Sequence, residues 1–94
     1  MKAELLQRDR FAFDDRKILE MVIWRVLKAV QGSQHLYKYR LFYGAPGRRI
    51  VSYDNERPKG DHRHAGGREE RYRFTDVETL VRDFLADVAR RRST

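Results

Sequence analysis

The stretch HLYKYRLFYGAPGRRIVSY, residues 35–53, decides the fold. Apolar and basic side chains alternate in its first half, so a β-strand turns the apolar ones to one face and Lys38 and Arg40 to the other. The apolar face consists of Tyr37, Tyr39, Leu41 and Tyr43. Gly44-Ala45-Pro46-Gly47 is typical of a four-residue turn, because Pro fixes φ and Gly accepts positive φ. The chain then returns over residues 48–53, and the predicted pairs are Tyr43 with Arg48, Leu41 with Ile50, Tyr39 with Ser52 and Tyr37 with Asp54.

Two segments before this hairpin are predicted to join the same sheet. Residues 2–13 carry apolar residues near both ends and indicate an edge strand, or two short strands separated near Arg8-Asp9-Arg10. Residues 17–30 are apolar at both odd and even positions, which fits a covered strand or a buried helix. The β-branched residues of this segment favour the strand; they are Ile18, Val22, Ile23 and Val26.

The chain after the hairpin divides into a polar loop and a helix. Residues 55–71, NERPKGDHRHAGGREER, contain a proline, three glycines and many charges, and they predict a long loop. A helix is predicted over about residues 75–91, where Thr75 and Glu78 form a capping box. Apolar residues follow at helical spacing and form one stripe; they are Val77, Leu80, Val81, Phe84, Leu85 and Val88.

These elements predict an α+β protein, with a curved antiparallel sheet of about four strands packed by one C-terminal helix. The 94 residues suit a single domain, with the sheet over about residues 2–54 and the loop and helix after it. The absence of cysteine excludes a disulfide scaffold and a thiolate nucleophile. No apolar run is long enough to span a membrane, and the N-terminus lacks the apolar core of a signal peptide. We therefore expect a cytoplasmic protein without membrane contact.

The charge of the chain predicts a polyanionic partner. There are 21 Lys and Arg residues against 14 Asp and Glu, which gives a net charge of +7. Sixteen of the basic residues are Arg, whose planar guanidinium suits phosphate better than the point charge of Lys. RNA, DNA, the ribosome or an acidic protein would satisfy such a surface.

The residues that suggest chemistry are concentrated between Tyr53 and His64, in the sequence YDNERPKGDHRH. Cleavage of RNA without a metal needs a base for the 2′-hydroxyl, an acid for the leaving oxygen and cations for the phosphate charge. Imidazoles titrate near neutral pH and suit the first two tasks. The candidate catalytic residues are therefore His62, His64, Lys59, Asp61 and Asp54. The candidate nucleic-acid-binding residues, cations for phosphate and tyrosines for bases, are Arg57, Arg63, Tyr37, Tyr53, Lys38 and Arg40.

Two other interpretations of the same residues stay open. His62 and His64 point to one side of an extended segment, and with Asp61 or Asp54 they would form a metal ligand set. The flanking cations oppose a dication, so neither a metal nor another cofactor is expected. In the other interpretation, the basic loop and the tyrosine face bind RNA or DNA without catalysis.

Several segments together resemble one protein family. They are EMVIW (20–24), HLYKYRLFYG (35–44), YDNE (53–56), KGDHRH (59–64), the Tyr72-x-Phe74 step and FLADV (84–88). Over about residues 2–89 the chain resembles the TumE-like toxins of prokaryotic toxin–antitoxin systems, which are small basic proteins paired with a helix-turn-helix antitoxin. The resemblance implies a toxin that acts on RNA or the translation machinery, as a metal-independent endoribonuclease or by blocking translation. Pro58 and the turn Asp14-Asp15-Arg16 depart from the family pattern, because glycine is expected in both places.

Overall fold

The computed structural model describes residues 3–93, which form six β-strands and one α-helix. The elements are β1 (Glu4–Ala12), β2 (Ile18–Arg25), β3 (Tyr37–Ala45), β4 (Arg48–Asp54), β5 (His62–Ala65), β6 (Arg68–Arg71) and α1 (Val77–Arg92). The strands lie side by side in chain order, and every neighbouring pair is antiparallel. The sheet is an open meander. The predicted α+β class is therefore confirmed, but the sheet has six strands and not about four.

The two additional strands come from the segment predicted as a long loop. β5 pairs with β4, with His64 opposite Ser52, and β6 pairs with β5. The two strands are joined at Gly66 and Gly67, whose φ angles of +61° and +75° suit a tight turn. No apolar alternation marks these strands in the sequence, because all four residues of β6 are exposed and charged. The loop that remains covers residues 55–61.

The first two strands settle the alternatives for the N-terminal half. β2 is a strand with Leu19, Met21 and Ile23 buried on one face, so the favoured interpretation of residues 17–30 is confirmed for its first half. The chain leaves the sheet after Arg25. β1 is one strand with an irregularity in pairing between Leu5 and Gln7. Residue 2, the predicted start of the sheet, lies outside the described residues.

The register predicted for the β3–β4 hairpin is wrong. The turn contains two residues, Pro46 and Gly47, and Ala45 lies opposite Arg48. The positive φ of Gly47, +71°, permits this tighter turn. The pairing shifts again between Tyr43 and Gly44, so that the pairs beyond are Tyr43 with Val51, Leu41 with Tyr53 and Arg40 with Asp54.

The helix begins one residue later than its predicted cap would place it. Asp76, and not Thr75, is the N-cap, and its carboxylate accepts a 2.7 Å hydrogen bond from the backbone N–H of Thr79. This backbone hydrogen bond lowers the pKa of Asp76. Most of the predicted apolar stripe faces the sheet, but Leu85 is 40% exposed.

One core lies between α1 and one face of the sheet. Its buried apolar members are Leu19, Met21, Ile23, Tyr39, Leu41, Tyr43, Val51, Tyr53, Tyr72, Leu80, Phe84 and Val88. The ring of Phe84 meets the ring of Tyr53 edge to face at 5.7 Å. The opposite face of the sheet carries no helix in residues 3–93. No helix in this range is long and apolar enough to cross a membrane.

A buried carboxylate, Asp87, also lies between the helix and the sheet. It accepts hydrogen bonds from the Tyr53 hydroxyl, from Arg90 and from Arg63, the last at 3.3 Å. Burial alone would raise the pKa of Asp87, but these hydrogen bonds and the two guanidinium charges outweigh it and lower the pKa. Burial is the main cause that raises the pKa of Tyr53. The pair is therefore an ionised Asp with a neutral Tyr, and it fixes α1 against β4.

The substitution Phe84→Ala tests the packing of the helix. Phe84 has no exposed surface, and removing a buried phenyl ring costs about 3–5 kcal/mol. The whole free energy of unfolding of a domain is about 5–15 kcal/mol, so this variant should be largely unfolded. Thermal unfolding followed by circular dichroism measures the effect. Leu85→Ala is the matched control and should change the midpoint little, and an equal loss in both variants would contradict the packing described here.

Candidate functional site

The face of the sheet opposite α1, called the open face here, carries most of the polar side chains predicted to act. Cross-strand pairing places Arg40, Asp54 and His62 in one row across β3, β4 and β5. The next row contains Phe42, Ser52 and His64. Neighbours across an antiparallel sheet share a face, so these six side chains form one surface.

A hollow of about 360 Å³ lies on the open face beside the β3–β4 turn. Arg40, Arg48 and Arg49 line it together with Phe42 and Asp54. None of the three guanidinium groups forms a hydrogen bond or ion pair with another residue of the range 3–93. Three guanidinium groups with unused donors around one hollow form a site for an oxyanion such as phosphate.

His62 lies at the edge of this surface with both ring nitrogens engaged. Nδ1 is 2.9 Å from the carbonyl oxygen of Gly60, and Nε2 is 3.2 Å from Oδ1 of Asp54 and 3.6 Å from Oε2 of Glu69. A carbonyl and a carboxylate only accept hydrogen bonds, so each ring nitrogen of His62 faces an acceptor. In this arrangement His62 presents no free nitrogen to a substrate.

His64 differs from His62 because its imidazole forms no hydrogen bond with any residue in the range 3–93. Its Nδ1 is buried without a partner, and Nε2 also bonds to no residue in the described range. Glu69 lies opposite His64 across β5 and β6. The hydrogen bond and charge of Lys59 are the main causes that lower the pKa of Glu69, with smaller contributions from His62 and His64. Of the two histidines, His64 is therefore the one whose ring nitrogens form no hydrogen bond with residues 3–93.

Asp61 does not join His62 and His64, because adjacent residues point to opposite sides of extended backbone. On the helix side of the sheet its carboxylate contacts three donors: the Tyr39 hydroxyl at 2.6 Å, His35 Nε2 at 2.8 Å and the Ser33 hydroxyl at 3.2 Å. The backbone N–H of Tyr37 donates to Nδ1 of His35, which leaves the proton on Nε2. Burial is the main cause that raises the pKa of Tyr39 far above its usual range.

Asn55, which the sequence did not single out, extends the same cluster. It is fully buried. Its Oδ1 accepts from the backbone N–H of Tyr39 at 3.0 Å, and its Nδ2 donates to the carbonyl of Tyr37 at 2.7 Å and to the Ser33 hydroxyl at 3.1 Å. The cluster of Ser33, His35, Asn55 and Asp61 therefore joins the β2–β3 connection to the loop before β5.

The remaining predicted site residues are distributed over both sides of the molecule. Lys59 pairs with Glu69 at 3.3 Å, near His62. Lys38 is exposed and lies opposite Trp24 on the open face. Arg57 is exposed in the loop at 55–61.

The last three members of the predicted set lie away from the open face. Tyr53 is fully buried in the core. Arg63 is bonded to Asp87 on the helix side. Tyr37 lies on the helix side near Phe74, with ring centroids 5.6 Å apart. Tyr53 and Arg63 therefore help to fix the helix and stay outside the site proposed below.

Four residues of the open face were missed by sequence reasoning: Trp24, Phe42, Arg48 and Arg49. Both aromatic residues are partly exposed on this face. The alternation in residues 18–25, with Val22 and Trp24 on one face, was the signal available for Trp24. The turn arginines had no signal, because only the hairpin register places them over the hollow. Within residues 3–93, no three or more His, Asp or Glu side chains gather as a metal site.

Comparison with known proteins identifies one family. The family model described as Toxin TumE matches residues 2–92, nearly the whole chain. No curated protein and no solved structure matches the chain.

Substitution of Asp61 tests its role in stability. Asp61→Ala would leave the buried Tyr39 hydroxyl and His35 Nε2 without an acceptor, and each unpaired buried donor costs about 1–3 kcal/mol. We expect a clearly lower free energy of unfolding in a denaturant titration. Glu56→Ala, an exposed residue of the same loop, is the control and should match the wild type. Equal stability of the two variants would show that the cluster does not support the fold.

Proposed function

The chain belongs to the TumE toxin family over residues 2–92, and from this membership we propose that it is the toxin of a toxin–antitoxin pair and acts on RNA. The net charge of +7 supports a polyanionic target. RNA and the translation machinery are in the cytoplasm, which is where we place the activity. The antitoxin we propose is a helix-turn-helix protein, as is usual for toxins that resemble this chain.

The observation that carries the proposal is the hollow with three unpaired arginines beside His64 on the open face. Phosphate contacts supply most of the affinity of a protein for nucleic acid. Arg40, Arg48 and Arg49 have unused donors around one hollow, and no helix covers this face within residues 3–93. A phosphate of an RNA strand held there would lie on the same surface as His64.

Aromatic side chains on the same face suit the bases of a single strand. Single-stranded RNA is bound by sheets whose exposed aromatic rings stack on bases. Trp24 and Phe42 are partly exposed on adjacent strands, β2 and β3. Lys38 lies opposite Trp24 and supplies a cation next to that ring. The open face thus combines the phosphate and base contacts that RNA requires.

The chemistry we propose is metal-independent cleavage of the RNA strand. His64 has uncommitted nitrogens and acts as the general base or acid for the 2′-hydroxyl or the leaving oxygen. The guanidinium groups of Arg40, Arg48 and Arg49 stabilise the charge that develops on the phosphate. Asp61 acts through the fold, because its carboxylate is engaged by three donors on the helix side.

A second function, binding RNA or DNA without cleavage, has one observation in its favour. Catalysis by two groups needs an acid and a base, and of His62 and His64 only His64 has ring nitrogens without a hydrogen bond to residues 3–93. Both nitrogens of His62 are engaged by Gly60, Asp54 and Glu69. A toxin that occupies an RNA without cutting it would need only the arginines and the aromatic rings.

Loss of His64 tests the catalytic proposal. Because replacing a general acid or base typically lowers the rate about 10²–10⁴-fold, His64→Ala should abolish growth inhibition and RNA cleavage while the thermal midpoint is kept. Arg68→Ala, an exposed cation at the far edge of the sheet, is the matched control and should stay toxic. EDTA should leave cleavage unchanged.

RNA affinity separates the two functions. Binding is followed by the fluorescence of Trp24, the single tryptophan of the chain. His64→Ala should bind RNA normally, whereas Arg40→Gln combined with Arg48→Gln and Arg49→Gln should bind it much more weakly. Full toxicity of a His62→Ala and His64→Ala double variant would overturn the catalytic role and favour the binding function.

The antitoxin is tested by co-expression with the neighbouring gene. A basic surface that must be inactive at rest needs a partner of complementary charge or an apolar partner. We expect the toxin to co-purify with a helix-turn-helix protein as a tight complex at micromolar concentration. Free toxin in such a lysate would contradict the pairing.

A further inference from the structure

A second and larger cavity, of about 720 Å³, lies away from the hollow on the open face. Three segments surround it: residues 32–37, which lead into the start of β3, residues 59–61 before β5, and residues 71–75, which run from the end of β6 towards α1. Cavities of about 300–1,000 Å³ are the usual size for small-molecule and cofactor sites. The role proposed for the open face makes no use of this cavity.

One wall of the cavity is aromatic. The rings of His35 and Phe74 stack with centroids 3.8 Å apart and planes 23° from parallel. The ring of Tyr37 continues the wall, 5.6 Å from Phe74 and 6.0 Å from His35. Such a set of rings in a lined cavity offers stacking surface for one further planar ring, because bases stack on aromatic faces without regard to sequence.

The wall is held rigid by the cluster beneath it. His35 is fixed through both nitrogens, by the backbone N–H of Tyr37 and by Asp61. Gly32 and Gly60 pack backbone to backbone, and a Cβ at Gly32 would lie 2.6 Å from the carbonyl oxygen of Pro58. A stacking surface that is ordered before its ligand arrives binds with less entropic cost.

The charge of the cavity is positive. Arg71, Arg73 and Lys59 line it, and the two guanidinium groups form no hydrogen bond or ion pair with any other residue in the range 3–93. Asp61 is the single carboxylate among the lining residues, and three donors satisfy it. The free donors of the cavity are therefore guanidinium groups, which suit a phosphate.

We propose that this cavity binds one nucleotide, with its base on the aromatic wall of Tyr37 and Phe74 and its phosphate on Arg71 and Arg73. The nucleotide is either free in solution or one unit of an RNA strand that also contacts the toxin elsewhere. Both sources present the same planar base and phosphate. The proposal does not rest on cleavage at the open face.

Isothermal titration of the full chain with the four ribonucleoside 5′-monophosphates tests the proposal. Inorganic phosphate and a nucleoside serve as partial probes, and a labelled single-stranded RNA tests the second source. Phe74→Leu should weaken binding about 5- to 150-fold, the loss expected for one stacked base. Arg73→Gln should weaken it too, whereas Arg68→Gln, a nearby exposed cation outside the cavity, should not.

Each outcome supports or overturns the proposal. Mononucleotide binding that these variants weaken supports a free nucleotide, and loss of RNA affinity alone supports a nucleotide within a strand. Equal affinity for phosphate and for the nucleotides, or no effect of Arg73→Gln on either ligand, overturns it. Arg73 is exposed, so this variant decides the result even if Phe74→Leu is unstable.

A matched variant separates this test from failure at the open face. Arg40→Gln combined with Arg48→Gln and Arg49→Gln should weaken RNA binding and leave intact the part of the mononucleotide affinity that Phe74→Leu and Arg73→Gln remove. If that variant loses RNA and the cavity variants do not, the open face binds RNA and the cavity proposal fails. If the cavity variants lose nucleotide or RNA binding and the open-face variant keeps RNA binding, the cavity proposal stands and the open-face proposal fails.

Discussion

Packing of Phe84 against Tyr53, with the rings edge to face at 5.7 Å, joins the one helix to the middle of the sheet. An α-helix of sixteen residues is about 24 Å long, and on one face of the sheet it packs over the middle strands, where the buried residues of β2, β3 and β4 lie. The other face must then be compatible with water, which is why its rows carry Arg, Asp and His side chains between a few aromatic rings. The face that we assign to RNA is open because residues 3–93 contain only one helix, and that helix packs on the other face.

Two buried polar clusters hold the parts of the chain that apolar packing does not reach. Asp87 joins the helix to β4 and β5 through Tyr53 and Arg63. Asp61 joins the connections on either side of β3 and β4 through Ser33, His35 and Tyr39. Both carboxylates receive several donors, as buried charges must. Both carboxylates therefore stabilise the fold. From the sequence alone, Asp61 in its basic loop suggests catalysis instead.

The candidate residues between Tyr53 and His64 lie on both sides of the sheet, and this has consequences for function. Asp61 and His62 are adjacent in the chain, yet one supports the aromatic wall of the cavity and the other faces Asp54 on the open face. Lys59 lines the cavity and also pairs with Glu69, whose carboxylate is 3.6 Å from His62. The chain therefore presents two basic surfaces with aromatic rings, and in our proposals the phosphates of one RNA strand would meet, at both, guanidinium groups that are unpaired within residues 3–93.

Local sequence patterns were sufficient to predict the elements whose residues lie close together in the chain. The amphipathic stripe around Phe84 predicted the helix, alternation predicted the β3–β4 hairpin, and the order of segments indicated the toxin family. β5 and β6 were missed because polar and charged strands carry no apolar period. β5 is a strand because it pairs with β4, and β6 is a strand because it pairs with β5. The hairpin register depended on one glycine turn and one irregularity, and a shift of pairing changes every neighbour. The sequence could name His62, His64 and Asp61 as candidates, but not their partners. Only the tertiary structure brought His35 to Asp61 and separated Asp61 from His64, because contacts between residues distant in the chain depend on the pairing of whole strands.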